Sequence, residues 1–282
     1  MTSVLVTGAN GQLGRCLQDA SEKYPQLSFF FASRNQLDIE NQEAVTALFS
    51  EKKFDYCINT AAYTNVEKAE SEQKKAFNSN AEAVKHLALT CKAAKTTLLH
   101  ISTDYVFDGK KTTPYLETDA TNPINEYGAS KLKGEQYIQE GCKKYFIFRT
   151  SWLYSTYGHN FLNSILKFAK ERKEITITTE QTGTPTNAND FAKVLLQVIA
   201  SENKQYGLYH YSNAGEATWY DFAEAILNYS NQNDAIKLAK TDHYPTFAAR
   251  PKYSVLNTEK VSQNLNLETV HWKKSLQKLL ND

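Results

Sequence analysis

Four cysteines in 282 residues are few, and Cys16, Cys57, Cys91 and Cys142 lie far apart, with no C-x-x-C pair and no histidine at metal-ligand spacing. That excludes a disulfide framework and a thiolate metal site, and the four read as reduced, mostly buried thiols of a cytoplasmic chain. An excess of charge is also missing: 32 basic against 31 acidic residues leave a net charge of +1. No field of one sign is available for nucleic acid or a membrane surface, so an anionic ligand needs a local cationic pocket. No apolar run approaches the roughly 20 residues of a membrane helix. The N-terminus passes directly into Val4-Leu5-Val6 without a basic leader, which reads as no signal peptide. Repeats, low-complexity tracts and long linkers are absent too.

What is present is alternation. Short apolar runs rich in branched and aromatic residues occur at Val4–Thr7, Leu27–Ala32, Tyr56–Asn59, Leu98–Ser102 and Tyr145–Thr150. They read as strands buried on both faces. Helical patterns fill the gaps at 12–23, 40–52, 66–95 and 125–141. Strand–helix repetition of this kind implies right-handed crossovers and a parallel sheet. The second half predicts a helix over 159–172, a strand at Ile175–Thr178, a loop holding Gly183 and Pro185, and a helix from Asn189. A strand at Leu208–Ser212 and a helix over Trp219–Tyr229 follow, the latter with Trp219, Phe222, Ala223, Ile226 and Leu227 on one apolar face. The expected fold is α/β: a Rossmann-type, doubly wound parallel sheet with a smaller C-terminal part. Residues 1–150 form the dinucleotide-binding domain, with later segments returning to it. Residues 151–282 are mainly substrate-binding, and a cleft lies between the two.

The first strand runs into Gly8, Asn10, Gly11, Gln12, Leu13 and Gly14, a G-x-x-G-x-x-G turn that opens a helix. A turn without Cβ atoms lets the backbone approach a pyrophosphate, and the helix N-terminus offers free N–H groups and its positive dipole end. The second strand ends at Ser33-Arg34. An acidic residue here suits the ribose hydroxyls of NADH; Arg34 with Ser33 suits the 2′-phosphate of NADPH, while the nearby Asp38, followed by Ile39, leaves NADH open. The alternative for Arg34 is a solvated loop residue.

Tyr127 and Lys131 form a Tyr-x-x-x-Lys pair at the start of the helix between the fourth and fifth strands, and the fourth strand ends in Ser102-Thr103-Asp104. Positions i and i+4 share a helix face. A lysine there suits the nicotinamide ribose and is expected to lower the phenol's pKa, making Tyr127 a proton donor near neutral pH. Thr103 suits a hydrogen bond to a substrate carbonyl.

These residues together resemble the extended short-chain dehydrogenase/reductases. Further segments narrow the resemblance: 59–70, STDYVFDG at 102–109, 127–135, FRTSWLY at 148–154, GHNF at 158–161, QTGTPT at 181–186 and RPKYSVL at 250–256. Over essentially the whole chain they are similar to the dTDP-4-dehydrorhamnose reductases. The resemblance implies NAD(P)H-dependent reduction of the 4-keto group of dTDP-4-dehydro-L-rhamnose, the last step of dTDP-rhamnose synthesis, by a monomer or homodimer. It implies catalysis by Thr103, Tyr127 and Lys131, and a cofactor path along Ala61, Ala62 and Tyr63. Thr103, Asp104 and Trp152 would contact the sugar, and Asn160 and Arg250 the nucleotide. The alternatives are core packing for Trp152, a structural ion pair for Arg250 and a helix N-cap for Asn160.

One position departs from the family. Some members are metal-bridged dimers with a carboxylate directly after the third glycine; Arg15 stands there, and no metal is expected. Two rival readings remain. A nucleotide-sugar epimerase or dehydratase shares the scaffold, but Tyr105 occupies the place where a dehydratase adds its glutamate. A non-catalytic subunit resembling the regulatory subunit of methionine adenosyltransferase is the other, against which the intact Thr103–Tyr127–Lys131 set argues.

Overall fold

The computed structural model describes residues 1–171, 173–232 and 236–281. Strands β1 (Thr2–Thr7), β2 (Leu27–Ala32), β3 (Tyr56–Asn59), β4 (Thr97–Thr103) and β5 (Tyr145–Thr150) alternate with helices. These include α1 (Gln12–Ser21), α2 (Gln42–Glu51), α3 (Ala83–Ala94) and α4 (Glu126–Gly141). The chain continues through α5 (Phe161–Glu171), β6 (Glu174–Thr178), α6 (Ala188–Ala200) and β7 (Gly207–His210). It ends with α7 (Trp219–Tyr229), β8 (Lys237–Thr241), α8 (Glu259–Leu265) and α9 (Trp272–Asn281).

β7 pairs with β5, which makes a six-stranded sheet in the order β7-β5-β4-β3-β1-β2, every pair parallel. The order reverses at β1, so a crevice opens at the C-terminal ends of β1 and β3, where ligands of open α/β sheets bind. Both sheet faces are covered. On one, Val4, Val6, Ile58 and Phe148 pack against Leu13 and Leu17 of α1 and Phe191 and Leu195 of α6. On the other, Leu5, Cys57, Leu98 and Ile147 meet Val45, Leu87 and Ile138. Val4, Leu5 and Val6 are all fully buried, each side chain contributing about 1.5–3 kcal/mol. The four cysteines are free and buried. A third core joins α5, α7 and α9 through Ile165, Phe222, Ile226, Trp272 and Leu276.

Several boundaries differ from expectation. The single helix over 66–95 is four pieces: Val66–Ala69, Gln73–Phe77, a π-helical turn at Asn78–Glu82, and α3. The wide turn puts Asn80 inside, where its Oδ1 accepts from the Tyr63 N–H at 2.9 Å and its Nδ2 donates to the Tyr63 carbonyl at 2.9 Å and Ser130 Oγ at 3.0 Å. The helix expected over 159–172 begins at Phe161 and is described to Glu171; position 172 lies outside the described residues. The strand expected at Leu208–Ser212 is Gly207–His210, and with α6 it belongs to the sheet layer, since α6 packs on α1. Sequence reasoning missed β8, which pairs parallel to β6, and also α8 and α9. No helix among the described residues is long and apolar enough to cross a membrane.

Candidate active site

A cleft of about 780 Å³ opens where β1, β3, β4 and β5 end, roofed by residues of the C-terminal part. Among the expected residues, Asn10, Gly11, Gln12, Leu13, Ala62, Thr103, Asp104, Tyr127, Lys131, Trp152, Asn160 and Arg250 line it. Gly8 and Gly14 form the floor of the turn. Ala61 lies beneath Gly8, and Tyr63 points away, its hydroxyl donating to Glu72 Oε2 at 2.8 Å.

The turn fits a dinucleotide. Gly8 has a φ of 67°, and a Cβ there would lie 2.7 Å from the Ala61 backbone nitrogen, so only glycine lets β1 and β3 close at the switch point. Gly11 caps α1 without any side-chain hydrogen bond, which leaves the first N–H groups of the helix to a ligand anion. Gln12 ties the turn to the roof by donating to the Leu153 carbonyl at 3.1 Å.

Helix α4 delivers the tyrosine and lysine. Asn125 caps it, accepting from the Gly128 N–H at 2.7 Å, and Glu70 accepts from the Glu126 N–H at 2.8 Å. Deeper in, Arg149 of β5 pairs with Glu135 at 2.7 Å, the two side chains 4 % and 1 % exposed, and Ser102 donates to the same carboxylate at 2.5 Å. A buried, multiply hydrogen-bonded pair of this kind fixes the helix against β4 and β5. Lys131 Nζ donates to the Ile101 carbonyl at 2.6 Å. Thr103 Oγ1 donates to Asp104 Oδ1 at 3.1 Å, and the Tyr105 ring meets that of Tyr127 edge-on, centroids 6.0 Å apart.

The electrostatics correct one expectation. Burial pushes the Tyr127 phenol up to about 12, with the Thr103 hydroxyl opposing and Asp104 reinforcing. Lys131 does not lower it; burial brings the lysine itself down to about 8, against the pull of Glu135. The phenol is therefore held protonated, the form a proton donor requires. Burial also raises the Asp104 carboxyl to about 7, opposed by the Ser254 and Thr103 hydroxyls and backbone N–H groups. Asp104 Oδ2 has no well-formed hydrogen bond among the described residues.

Other expected residues are engaged with protein partners. Asn160 serves as the cap of α5: its Oδ1 accepts from the Asn163 N–H at 3.0 Å, and its Nδ2 donates to Gln12 Oε1 at 2.6 Å and to the Ser155 carbonyl at 2.8 Å. Its amide is committed to protein partners, so it supports the wall rather than presenting a free group. Arg250 lines the cleft and is paired with Glu67 at 2.7 Å, and its buried Nε has no hydrogen-bond partner among the described residues. Glu67 also accepts from the Phe247 and Ala248 N–H groups; burial would raise it, but these bonds and Arg250 hold it below the usual carboxylate range. Arg34 is 73 % exposed and pairs with Asp38 at 3.2 Å and Glu40 at 3.4 Å. Ser33 donates to Gln36 Oε1 at 2.8 Å, and Ile39 is buried. None of Ser33, Arg34, Asp38 and Ile39 lines the main cleft; they sit at the end of β2 beside it. Trp152 lines the cleft rather than the core, and Trp219, on the apolar face expected for α7, packs against Phe161 and Phe222 of the third core and also lines the cleft. Sequence reasoning also missed Thr60, Thr64, Val66, His159 and Phe161 as lining residues, and Glu67 as the partner of Arg250. Arg15 lies over the Tyr157 ring, 5.5 Å from its centroid, and among the described residues no group of three or more His, Cys, Asp or Glu is arranged to hold a metal ion.

The family described as RmlD substrate binding domain matches residues 1–282. A dTDP-4-dehydrorhamnose reductase of Escherichia coli strain K12 is 38% identical over 99% of this chain and 97% of its own. A crystal structure of a dTDP-4-dehydrorhamnose reductase from Clostridium acetobutylicum superposes with a TM-score of 0.94 at 38% identity, covering 99% of both chains. One from Bacillus anthracis, in complex with NADP, gives 0.95 at 37% identity over 100% of this chain and 99% of that one.

Proposed function

The chain belongs to the dTDP-4-dehydrorhamnose reductase family, and from that premise we propose how its cleft carries out the reduction. It is an NADPH-dependent oxidoreductase of dTDP-rhamnose biosynthesis, reducing the 4-keto group of dTDP-4-dehydro-L-rhamnose to give dTDP-L-rhamnose. When bound, the reduced nicotinamide supplies the hydride.

The protein's own part is binding, orientation and one proton. The uncapped start of α1 and the turn at Gly8, Asn10, Gly11, Gln12, Leu13 and Gly14 hold the pyrophosphate. Ala61 and Ala62 border its path. Arg34, with Ser33, reaches the 2′-phosphate by exchanging its contacts to Asp38 and Glu40 for phosphate oxygens. Lys131 holds the nicotinamide ribose. Thr103 donates to the keto oxygen and fixes it against Tyr127. The phenol then gives its proton to the forming alkoxide, which is far more basic than a phenolate, and the phenolate recovers a proton from solvent. Asp104 and Trp152 contact the sugar, and Arg250, which lines the same cleft, reaches the nucleotide portion. We assign residues 1–150 to cofactor binding and most of 151–282 to the substrate. The enzyme acts in the cytoplasm as a monomer or homodimer, without nucleic acid.

The observation that carries this reading is the meeting, in one cleft, of an uncapped helix N-terminus with Thr103, Tyr127 and Lys131. Supply of dTDP-4-dehydro-L-rhamnose from dTDP-glucose by the upstream enzymes tests it: NADPH absorbance falls only when this chain is added. Absence of NADPH consumption with demonstrated substrate present contradicts it.

A further inference from the structure

A line of buried polar side chains crosses the sheet behind the reactive groups. Thr7, Asn59 and His100 occupy paired positions on β1, β3 and β4, and all three are at most 1 % exposed. The pleat therefore carries them to the same face at one level. Thr7 Oγ1 donates to Asn59 Oδ1 at 2.6 Å, Asn59 Nδ2 lies 3.1 Å from His100 Nδ1, and His100 Nε2 lies 3.4 Å from Lys131 Nζ. Each of these groups is costly to bury, and apolar residues would make a sheet core without that cost. The line starts one residue before Gly8 and ends on the lysine, thereby joining the two halves of the cofactor site.

We propose that His100 is a positioning residue for the reduction: through Asn59 and Thr7 it ties the ammonium of Lys131 to the strand that carries the glycine turn, and its tautomer follows the charge of that lysine. The inference rests on the reading of Lys131 as the cation that serves the cofactor.

Hydrogen-bond polarity gives the second half of the proposal. A cationic Lys131 has only donors, so His100 Nε2 must accept, and the ring proton sits on Nδ1. Asn59 must then turn its Oδ1 toward His100 and its Nδ2 toward Thr7, the reverse of the amide orientation in the structure. A neutral Lys131 accepts instead, and the line runs the other way: Thr7 to Asn59 Oδ1, Nδ2 to Nδ1, and Nε2–H to Nζ. Half a turn of the Asn59 amide interconverts the two senses. The imidazole itself stays uncharged, because burial and, secondarily, Lys131 hold its protonation well below the ordinary range. The charged and titratable groups around Lys131 are few: Glu135, one turn further along α4 and tied to Arg149, and Tyr127, one turn back.

Two substitutions separate positioning from packing. The amide of His100→Gln reaches the place of Nε2, whereas that of His100→Asn reaches only the place of Nδ1. The Gln variant is expected to bind NADPH within about 3-fold of the wild type, and the Asn variant to lose about 10-fold in affinity and in kcat, with its alkaline pH limb displaced. NADPH affinity is read directly by nucleotide fluorescence, so the result stands even if the keto sugar is not the substrate. Equal losses in both variants, or no loss in the Asn variant, overturn the proposal. A measurement on the wild type needs no variant: in histidine-labelled protein, the ¹⁵N shifts of His100 should change from the Nδ1–H to the Nε2–H pattern as Lys131 deprotonates. A single tautomer throughout that titration overturns the coupling.

Discussion

Trp152 lies flat on Trp219, the ring centroids 3.6 Å apart and the planes 7° from parallel. One ring follows β5 and the other opens α7, so the stack joins two distant segments of the C-terminal part at the cleft. Trp152 holds a φ of 45°, left-handed for a bulky residue, and a Cβ at Gly183 would lie 2.6 Å from its Cε2. Gln181 Oε1 fixes the outer ring by accepting from Trp219 Nε1 at 3.0 Å. Gly183→Ala should therefore displace Trp152 and raise KM for the sugar nucleotide by about 10-fold while changing KM for NADPH by less than about 2-fold. Steady-state kinetics with each substrate varied in turn checks this; equal changes in both would remove Trp152 from the sugar site.

Tyr127→Phe keeps the ring against Tyr105 and removes the proton. We expect kcat to fall by about 10²–10⁴-fold, the range for general-acid catalysis, with NADPH affinity kept. Lys131→Met should weaken both. Near-normal turnover by the Phe variant would take the phenol out of the mechanism.

The pH dependence follows from the same two groups. Tyr127, raised to about 12, stays protonated throughout the working range, whereas Lys131, lowered to about 8, loses its charge as pH rises through that value. The quantity kcat/KM for NADPH, which reports the free enzyme, should fall on the alkaline side with an apparent pKa near 8. A flat profile to pH 10 would mean that the lysine's charge is not needed or is not perturbed.

The role proposed for Arg34 predicts a difference between the two nicotinamide cofactors. Arg34→Ala should lower kcat/KM for NADPH by about 10-fold and leave NADH nearly unchanged, because only the 2′-phosphate uses the guanidinium. An equal loss with both cofactors would mean that its pairing with Asp38 and Glu40 merely shapes the loop.

The parts of this molecule that were legible in its sequence are those coded locally. The β1 turn declares itself because three glycines directly follow an apolar run, and Tyr127 and Lys131 declare their common face by their spacing. What was hidden depends on distant partners or on small departures from periodicity. The π-helical turn at Asn78–Glu82 adds width without breaking the helical pattern of the residues around it. Arg250 finds Glu67 across 183 positions, a pairing that no local pattern carries. Trp219 shares the helical spacing and the core of Phe222 and Ile226, and that spacing does not show that the first residue of α7 also lines the cleft. Thr7, Asn59 and His100 sit inside runs that read only as strand, and their alignment exists only once β1, β3 and β4 are in register.

The central claim is that this chain transfers hydride from NADPH to C4 of a nucleotide-linked keto sugar. The most direct measurement supplies NADPH deuterated at the transferring position of the nicotinamide, together with dTDP-4-dehydro-L-rhamnose, and locates the label in the product by NMR. The account predicts one deuterium at sugar C4 and loss of the label from the oxidised cofactor. Product without deuterium at C4, or hydrogen entering from solvent at a different ring carbon while NADPH is unchanged, would contradict it.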